Sequence, residues 1–416
     1  MAPEQNWSLN HTFTAARIHR PETIDEARRL VAAALKIHAV GSRHSFNAVA
    51  DSSGEMIDLG AIDPYFVLDR DAMTVTLGAN TQYGPLLAWL QSHGCALHNT
   101  ASLPHITVIG AVATGTHGSG DALGTLSTAV AGLEWIAPDG SLVTLRRGQD
   151  GFDGAVVALG ALGIVTRVTL DILPSFDLRQ DAFADLPWQT VVDEFDAISA
   201  AAYSFSLITR WSGPTVDRLW LKTRVTAGEP GDVPARWGTP AGTPLVPGGT
   251  EDINAFTTPF GGIPGPWSER LPHFRPDGPP GAMAQVQSEY MLPRPQTVTA
   301  LTALREIADR IDPHLLATEI RTMAADSLWL SPAYGHDTVA LHFTWARTPE
   351  IAVITQTVEE LLLPLGGRPH WGKIIHTGAS RLAPLYPRLA DFRTLAAYHD
   401  PAGKFRNEFL DAHVFG

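Results

Sequence analysis

Glu319 and Arg321 stand two residues apart in a run that reads as a strand over 316–323, so both side chains face one side of it. His342 and Thr344 repeat that spacing in a second strand over 339–345, while Leu341, Phe343 and Trp345 face the other way. Lys373 follows Trp371 and Gly372 in an otherwise uncharged stretch. Carboxylate, guanidinium, imidazole, hydroxyl and ammonium groups arranged in this way would floor a pocket with donors and acceptors for a hydroxylated substrate. A buried salt bridge beside a satisfied histidine would leave the same spacing, and a single lysine is most often a solvated surface charge.

Two loops upstream add to this set. The apolar run Ile37-His38-Ala39-Val40 reads as a buried strand that opens into Gly41-Ser42-Arg43-His44-Ser45-Phe46-Asn47. Small residues there let the backbone approach a ligand closely, and successive N–H groups in such a loop can form a concave anion site. The segment 102–120, from Ser102-Leu103-Pro104-His105 to His117-Gly118-Ser119-Gly120, is too rich in Gly, Ser and Thr for an unbroken helix. Ile106, Val108, Ile109, Val112 and Ala113 argue that it packs, and its small residues would admit a flat or extended cofactor.

The elements that must position these loops can be read in order. Thr23-x-x-Glu26 is a capping-box pattern, and Ala27, Leu30, Val31, Ala34 and Leu35 predict a helix over 24–36. A short strand is expected at 57–59, a hairpin at 66–68 and 74–77, and a helix from Pro85 with Leu86, Leu87 and Leu90 on one face. A second hairpin, 133–137 with 142–145, turns at Pro138-Asp139-Gly140. A helix over 154–163 and a strand over 164–173 follow. Composition shifts after Pro174, and 227–282 is rich in Gly and Pro. Trp237, Phe256, Phe260, Trp267, Leu271 and Phe274 favour an ordered covering loop there. Strands are expected at 284–291, 316–323 and 339–345, and helices at 296–310 and 349–363, as an antiparallel sheet with helices on one face.

The totals exclude several classes. With 30 basic and 43 acidic residues the chain carries −13, a poor balance for binding a phosphate backbone, so no nucleic-acid partner is expected. Its one cysteine, Cys95, allows neither an intramolecular disulfide nor a cysteine zinc site. The first residues lack a basic start and an apolar core, and no run of about 18 apolar residues occurs. A cytoplasmic protein without a membrane partner is therefore expected. No G-x-G-x-x-G opens a βαβ unit, which argues against a Rossmann nicotinamide domain. Despite 16 histidines, no H-E-x-x-H or close His/carboxylate cluster suggests a metallohydrolase, and no metal is expected.

Together the two loops resemble the motifs of the vanillyl-alcohol oxidase superfamily, and within it those of the alditol (xylitol) oxidases. Members carry GSGHSFN, whose His is bonded to the flavin, and SLPHxxVxGxVATGTHGSG, which wraps the FAD. The resemblance runs from Trp7 to Phe409. It implies an α+β fold: a two-part FAD-binding domain at 1–174, a substrate (cap) domain at 175–375 with an antiparallel sheet flanked by helices, and a segment 376–416 that returns to the FAD domain. The closing motif Asp400-Pro401-Ala402-Gly403-Lys404-Phe405-Arg406-Asn407 belongs to that return.

The resemblance also implies FAD bound covalently through His44. Ala39, Val40, Gly41, Ser42, Arg43, Ser45, Ser102, Thr107, Gly110, Thr114, Gly115, Thr116, His117, Val165 and His370 are then the other cofactor-binding residues. Arg43 stands where the family has Gly, so its backbone is expected to stay outside the Gly-only region and its charge to lie near the pyrophosphate. The family's E-x-R-T, H-F-T-W and H-W-G-K motifs match Glu319, Arg321, His342, Thr344 and Lys373. These, with Ser102, are implied to line the substrate site, and Lys373, Arg321 and His342 to be catalytic. Lys373 and His342 both remain candidates for the base. The implied reaction is oxidation of the terminal alcohol of a polyol by oxygen, on a monomer. Sugar lactones, another sugar-like alcohol such as a nucleoside, or flavin binding without turnover are the alternatives.

Overall fold

The computed structural model describes residues 4–226, 236–241, 256–276 and 285–416. Alternating residues build its largest element, a nine-stranded antiparallel sheet. The strand order is Thr239–Pro240, Asp177–Ala184, Arg218–Val225, Ser204–Thr209, Leu315–Met323, Thr338–Ala346, Gln285–Pro293 and Arg368–Pro369, with Gly265–Pro266 also paired to Asp177–Ala184. Register sets the chemistry of each face. Glu319 pairs with His342, and His342 pairs with Glu289, so the three share one side of the sheet. Ile320, Leu341 and Tyr290 pair in the next row and point the other way.

That second face is apolar and carries three helices, Trp188–Ser199, Thr297–Glu306 and Ile351–Leu362. Phe195, Leu301, Leu304, Val358 and Leu362 from these helices pack with Leu207, Leu221, Ile320, Phe343 and Trp345 in one cluster. The helix expected over 296–310 is interrupted: Ile307, at φ −109°, separates Thr297–Glu306 from Ala308–Ile311.

The N-terminal part has two further sheets. Arg17–His19, Glu55–Ile57 and Ile37–Ala39 form a parallel one, so the strand expected at 57–59 lies two residues earlier. Phe66–Asp69, Thr74–Gly78, Ile164–Asp171, Val130–Ile136 and Leu142–Arg146 form an antiparallel one. Helix Ile24–Ala33 starts where Thr23 accepts the N–H of Glu26, and it stops three residues short of expectation because Ala34 turns to extended backbone. The helix expected over 154–163 is only Phe152–Val156. Leu159 (φ 53°) and Gly160 (φ 77°) turn the chain instead, and a Cβ on Gly160 would sit 2.6 Å from the His38 ring.

The C-terminal residues return to this part of the molecule. Leu382, Phe392, Phe409 and Leu410 join the same core as Val75, Leu90 and Val168, and Phe405 packs with Ala27, Val31 and Ile37. Lys404 donates to the carbonyls of Val31 and Pro138, and Asn407 to those of Val49 and Asp51. Of the expected covering loop, 236–241 and 256–276 are described and its six large apolar residues lie within them. The rest of 227–282 lies outside the described residues. Among the described residues no helix is long and apolar enough to cross a membrane.

Candidate active site

The strand Ile37–Ala39 ends at a cavity of about 990 Å³ that reaches from the His44 loop, past residues 101–117, to the polar face of the nine-stranded sheet. The loop is fastened at both ends. Ser42 Oγ accepts the Thr107 N–H at 3.0 Å, and Asn47 donates to the carbonyls of Trp371 and Lys373 at 2.9 and 2.6 Å. Phe46 N–H donates to Gly372, so the turn carrying Lys373 is held directly against the turn carrying His44. Gly41 is required where it stands: a Cβ there would come within 2.5 Å of Thr107 Oγ1. The residues after Thr107 form a single short helix, Val108–Ala113, inside an otherwise irregular segment.

The His44 ring lies on the cavity wall, stacked on Trp7 with centroids 4.9 Å apart. Burial, reinforced by His105, lowers its pKa to about 4, so it is neutral at neutral pH. Arg43 adopts a left-handed conformation (φ 62°), uncommon for a residue with a side chain but not confined to glycine. Its guanidinium pairs with Asp58 at 2.9 Å and Glu4 at 3.0 Å, which hold the strained residue in place.

At the sheet end, four ionisable side chains form a buried network. Glu289 Oε2 accepts from Lys373 Nζ at 2.7 Å, and Oε1 accepts from Arg321 Nη2 at 3.0 Å and His117 Nε2 at 3.1 Å. Burial alone would raise the Glu289 pKa, but Lys373, His117 and Arg321 outweigh it and hold the carboxylate well below its usual range. Arg321 Nη1 donates to Ser102 Oγ at 3.3 Å, tying the sheet to the 102–120 segment. Burial lowers the Lys373 pKa, opposed chiefly by Glu289.

His342 lies in the same row and is the exception in this network. Both its ring nitrogens are buried without a hydrogen-bond partner, and Glu319 Oε2 is 3.9 Å from Nδ1, beyond bonding reach. Burial, with Lys373 beside it, brings its pKa to about 4. Glu319 is held ionised against its burial by Arg321 and His273, and its Oε1 accepts from Ser206 at 2.7 Å and His273 at 2.6 Å. His370 accepts the Gly372 N–H at Nδ1, which leaves Nε2–H to donate to Thr116 Oγ1 at 3.2 Å.

Every site residue expected from the sequence lines this one cavity except Gly115. Gly115 turns the chain behind the wall (φ 66°), where a Cβ would meet Pro332 at 2.6 Å. Glu289 is the principal residue that sequence reasoning missed. Its signal was available, since Gln287 and Glu289 alternate with Val286 and Tyr290 just as Glu319 and Arg321 do with their neighbours. His273 and Lys222 were also missed; the first comes from irregular chain and shows no periodicity.

Comparison with known proteins now bears on what fills this cavity. Residues 15–146 match the family described as FAD binding domain, and residues 281–413 match D-arabinono-1,4-lactone oxidase. The chain is 45% identical over 409 residues to the alditol oxidase of a Streptomyces species, covering 97% of both chains. It belongs to the alditol oxidase family. More distant members of the superfamily include L-gulono-1,4-lactone dehydrogenase of Mycobacterium tuberculosis, 27% identical over 97% of both chains. Among solved structures, cholesterol oxidase from B. sterolicum superposes with a TM-score of 0.81 at 17% identity, covering 99% of this chain and 96% of that one. The α+β fold is therefore that of the vanillyl-alcohol oxidase superfamily, and the protein is an FAD-dependent oxidase. The cavity fits that cofactor. It is long, walled by Leu133, Val156 and Val165, and narrowed by small residues at Gly41, Gly110 and Gly163 where a flat group must pass close to backbone.

Proposed function

We propose that this enzyme oxidises the terminal primary alcohol of a polyol, an alditol such as xylitol or sorbitol, to the aldehyde, with oxygen reduced to hydrogen peroxide. The observation that carries this reading is the Lys373–Glu289–Arg321 network set beside the unpaired His342, at the sheet end of a cofactor-sized cavity. Residues 1–174 with 376–416 would hold the FAD, and 175–375 the substrate. His44 is the attachment point; its neutral, buried ring in the G-S-x-H-S-F-N loop suits a nucleophilic nitrogen. Bound FAD supplies the two-electron acceptor and passes those electrons to oxygen.

The chain's own residues do the rest. His342, neutral and without a partner, takes the hydroxyl proton. Lys373 and Arg321 stabilise the developing alkoxide without having to reorganise, because Glu289 already fixes both. Glu319, Thr344 and Ser102 hold the further hydroxyls, which orients the reacting carbon. A second reading, oxidation of a sugar lactone, is favoured by the match of residues 281–413 to the lactone oxidases. A peroxide-release screen over polyols, sugars, lactones and nucleosides separates the two. Release with alditols and not with lactones is expected; a yellow protein that releases peroxide with none of them would overturn both readings. Mass spectrometry of the His44-containing peptide should show the added mass of FAD, and an unmodified peptide from active protein would refute covalent attachment.

A further inference from the structure

The wall of the substrate end is completed by chain that has no periodic pattern, residues 256–276. Its Phe274 N–H donates to the Ser102 carbonyl at 3.2 Å, and Thr258 Oγ1 to the Pro272 carbonyl at 2.8 Å. The segment is pinned to the sheet by Lys222, whose ammonium is buried on the polar face and donates to the carbonyls of Leu271 (2.6 Å) and Pro272 (3.0 Å) and to His273 Nδ1 (3.3 Å). The third of these bonds has a chemical consequence. A ring nitrogen that accepts from lysine carries no proton, so His273 must hold its proton on Nε2. Nε2 lies 2.6 Å from Glu319 Oε1, the shortest polar contact that Glu319 makes. Trp220 meets the imidazole edge-on at 5.2 Å and fixes its plane.

Glu319 is thereby given a direction. Ser206 and His273 occupy Oε1, while Oε2 is turned toward His342 with a 3.9 Å gap between them. A hydroxyl oxygen placed in that gap could donate to Oε2 and lie beside the base. We propose that His273, locked in its Nε2–H tautomer by Lys222, is a positioning residue that aims Glu319 at the substrate's hydroxyl next to the reacting carbon, and so sets selectivity for polyols over simple alcohols. The proposal rests on the reading of Glu319 as a holder of substrate hydroxyls.

Three variants of the FAD-loaded enzyme test it: His273→Leu, His273→Gln and Lys222→Met. Glutamine offers one acceptor and one donor in the same order as the locked imidazole, so it should restore what leucine removes. The measurement is anaerobic stopped-flow reduction with xylitol and with 1-propanol, giving a Kd and a limiting rate for each, with thermal unfolding alongside. His273→Leu should weaken xylitol on the order of 10-fold or more, leave the limiting rate within a few-fold, and leave 1-propanol unchanged. His273→Gln should return xylitol binding to near the parent value, and Lys222→Met should weaken it while preserving the limiting rate. Equal xylitol Kd in parent and His273→Leu would overturn the proposal. So would equal losses in the Leu and Gln variants accompanied by a lowered unfolding temperature, which would mark a purely structural role. If the parent itself is not reduced by xylitol, the polyol reading fails first, and that outcome is distinct from either of the others.

Discussion

On one face of the nine-stranded sheet, Leu207, Ile320, Leu341 and Phe343 pack against three helices. On the other face of the same strands, Glu289 and Arg321 are buried, and Glu319 and His342 nearly so, around a cavity. The apolar face gains from every square ångström removed from water and shares that gain among many contacts. The polar face recovers the cost of burying charge only through a few exact pairings. Neighbouring residues on one strand should therefore respond very differently to substitution: graded and local on one side, disproportionate on the other.

The strongest test breaks the network at its centre. Glu289→Gln keeps the shape but leaves Lys373, Arg321 and His117 around a neutral amide. Loss of one partner from such a cluster should cost about 3–5 kcal/mol of stability, read by chemical denaturation, and should slow flavin reduction as well. Lys373→Met comes next. If its charge stabilises the alkoxide, the limiting rate of anaerobic flavin reduction should fall on the order of 10²–10³, with the protein still folded and yellow. A rate within a few-fold of the parent would move that role to Arg321.

A third effect is pH-dependent. The His342 pKa is lowered to about 4 in the folded protein, against about 6.5 when exposed. Between these values the unfolded chain binds more protons, so stability rises with pH across that window and falls as the solution is acidified. His342→Gln cannot take up the proton and should lose less stability than the parent from pH 7 to pH 4.5, as followed by unfolding temperature. His38 and His98, whose pKa values burial also lowers, keep some acid sensitivity in both proteins. The smallest effect belongs to the apolar face: Ile320→Val should cost about 0.5–1.5 kcal/mol and leave the rate of flavin reduction unchanged, although it adjoins both Glu319 and Arg321. A rate change there would mean that the two faces are coupled through the strand.

The same contrast explains what could be read in the chain. Strands with one apolar and one polar face announced themselves, as at Leu315–Met323 and Thr338–Ala346. Ser204–Thr209 is buried on both sides, lacks alternation, and was not foreseen; Asp177–Ala184 and Arg218–Val225 beside it were also missed. The loops around His44 and Ser102 were legible because a flat group passing close to backbone dictates their residue types. His273 was not, since its role arises from a contact with Glu319, 46 residues away in the chain, and irregular chain carries no period to betray it. The break at Leu159 and Gly160 was hidden because a left-handed leucine has no sequence signature.

The residues that close the N-terminal core are made long after the rest of it. Phe405, fully buried against Ala27, Val31 and Ile37, and Asn407, bonded to the carbonyls of Val49 and Asp51, leave the ribosome more than 350 residues after the strand they support. Until then the nascent chain presents its His44 loop on an unfinished platform. Flavin capture should thus await the emergence of residues 404–410 rather than of the binding motif: ribosome-stalled chains ending before residue 400 should recover no flavin fluorescence, while chains extending well past residue 410 should.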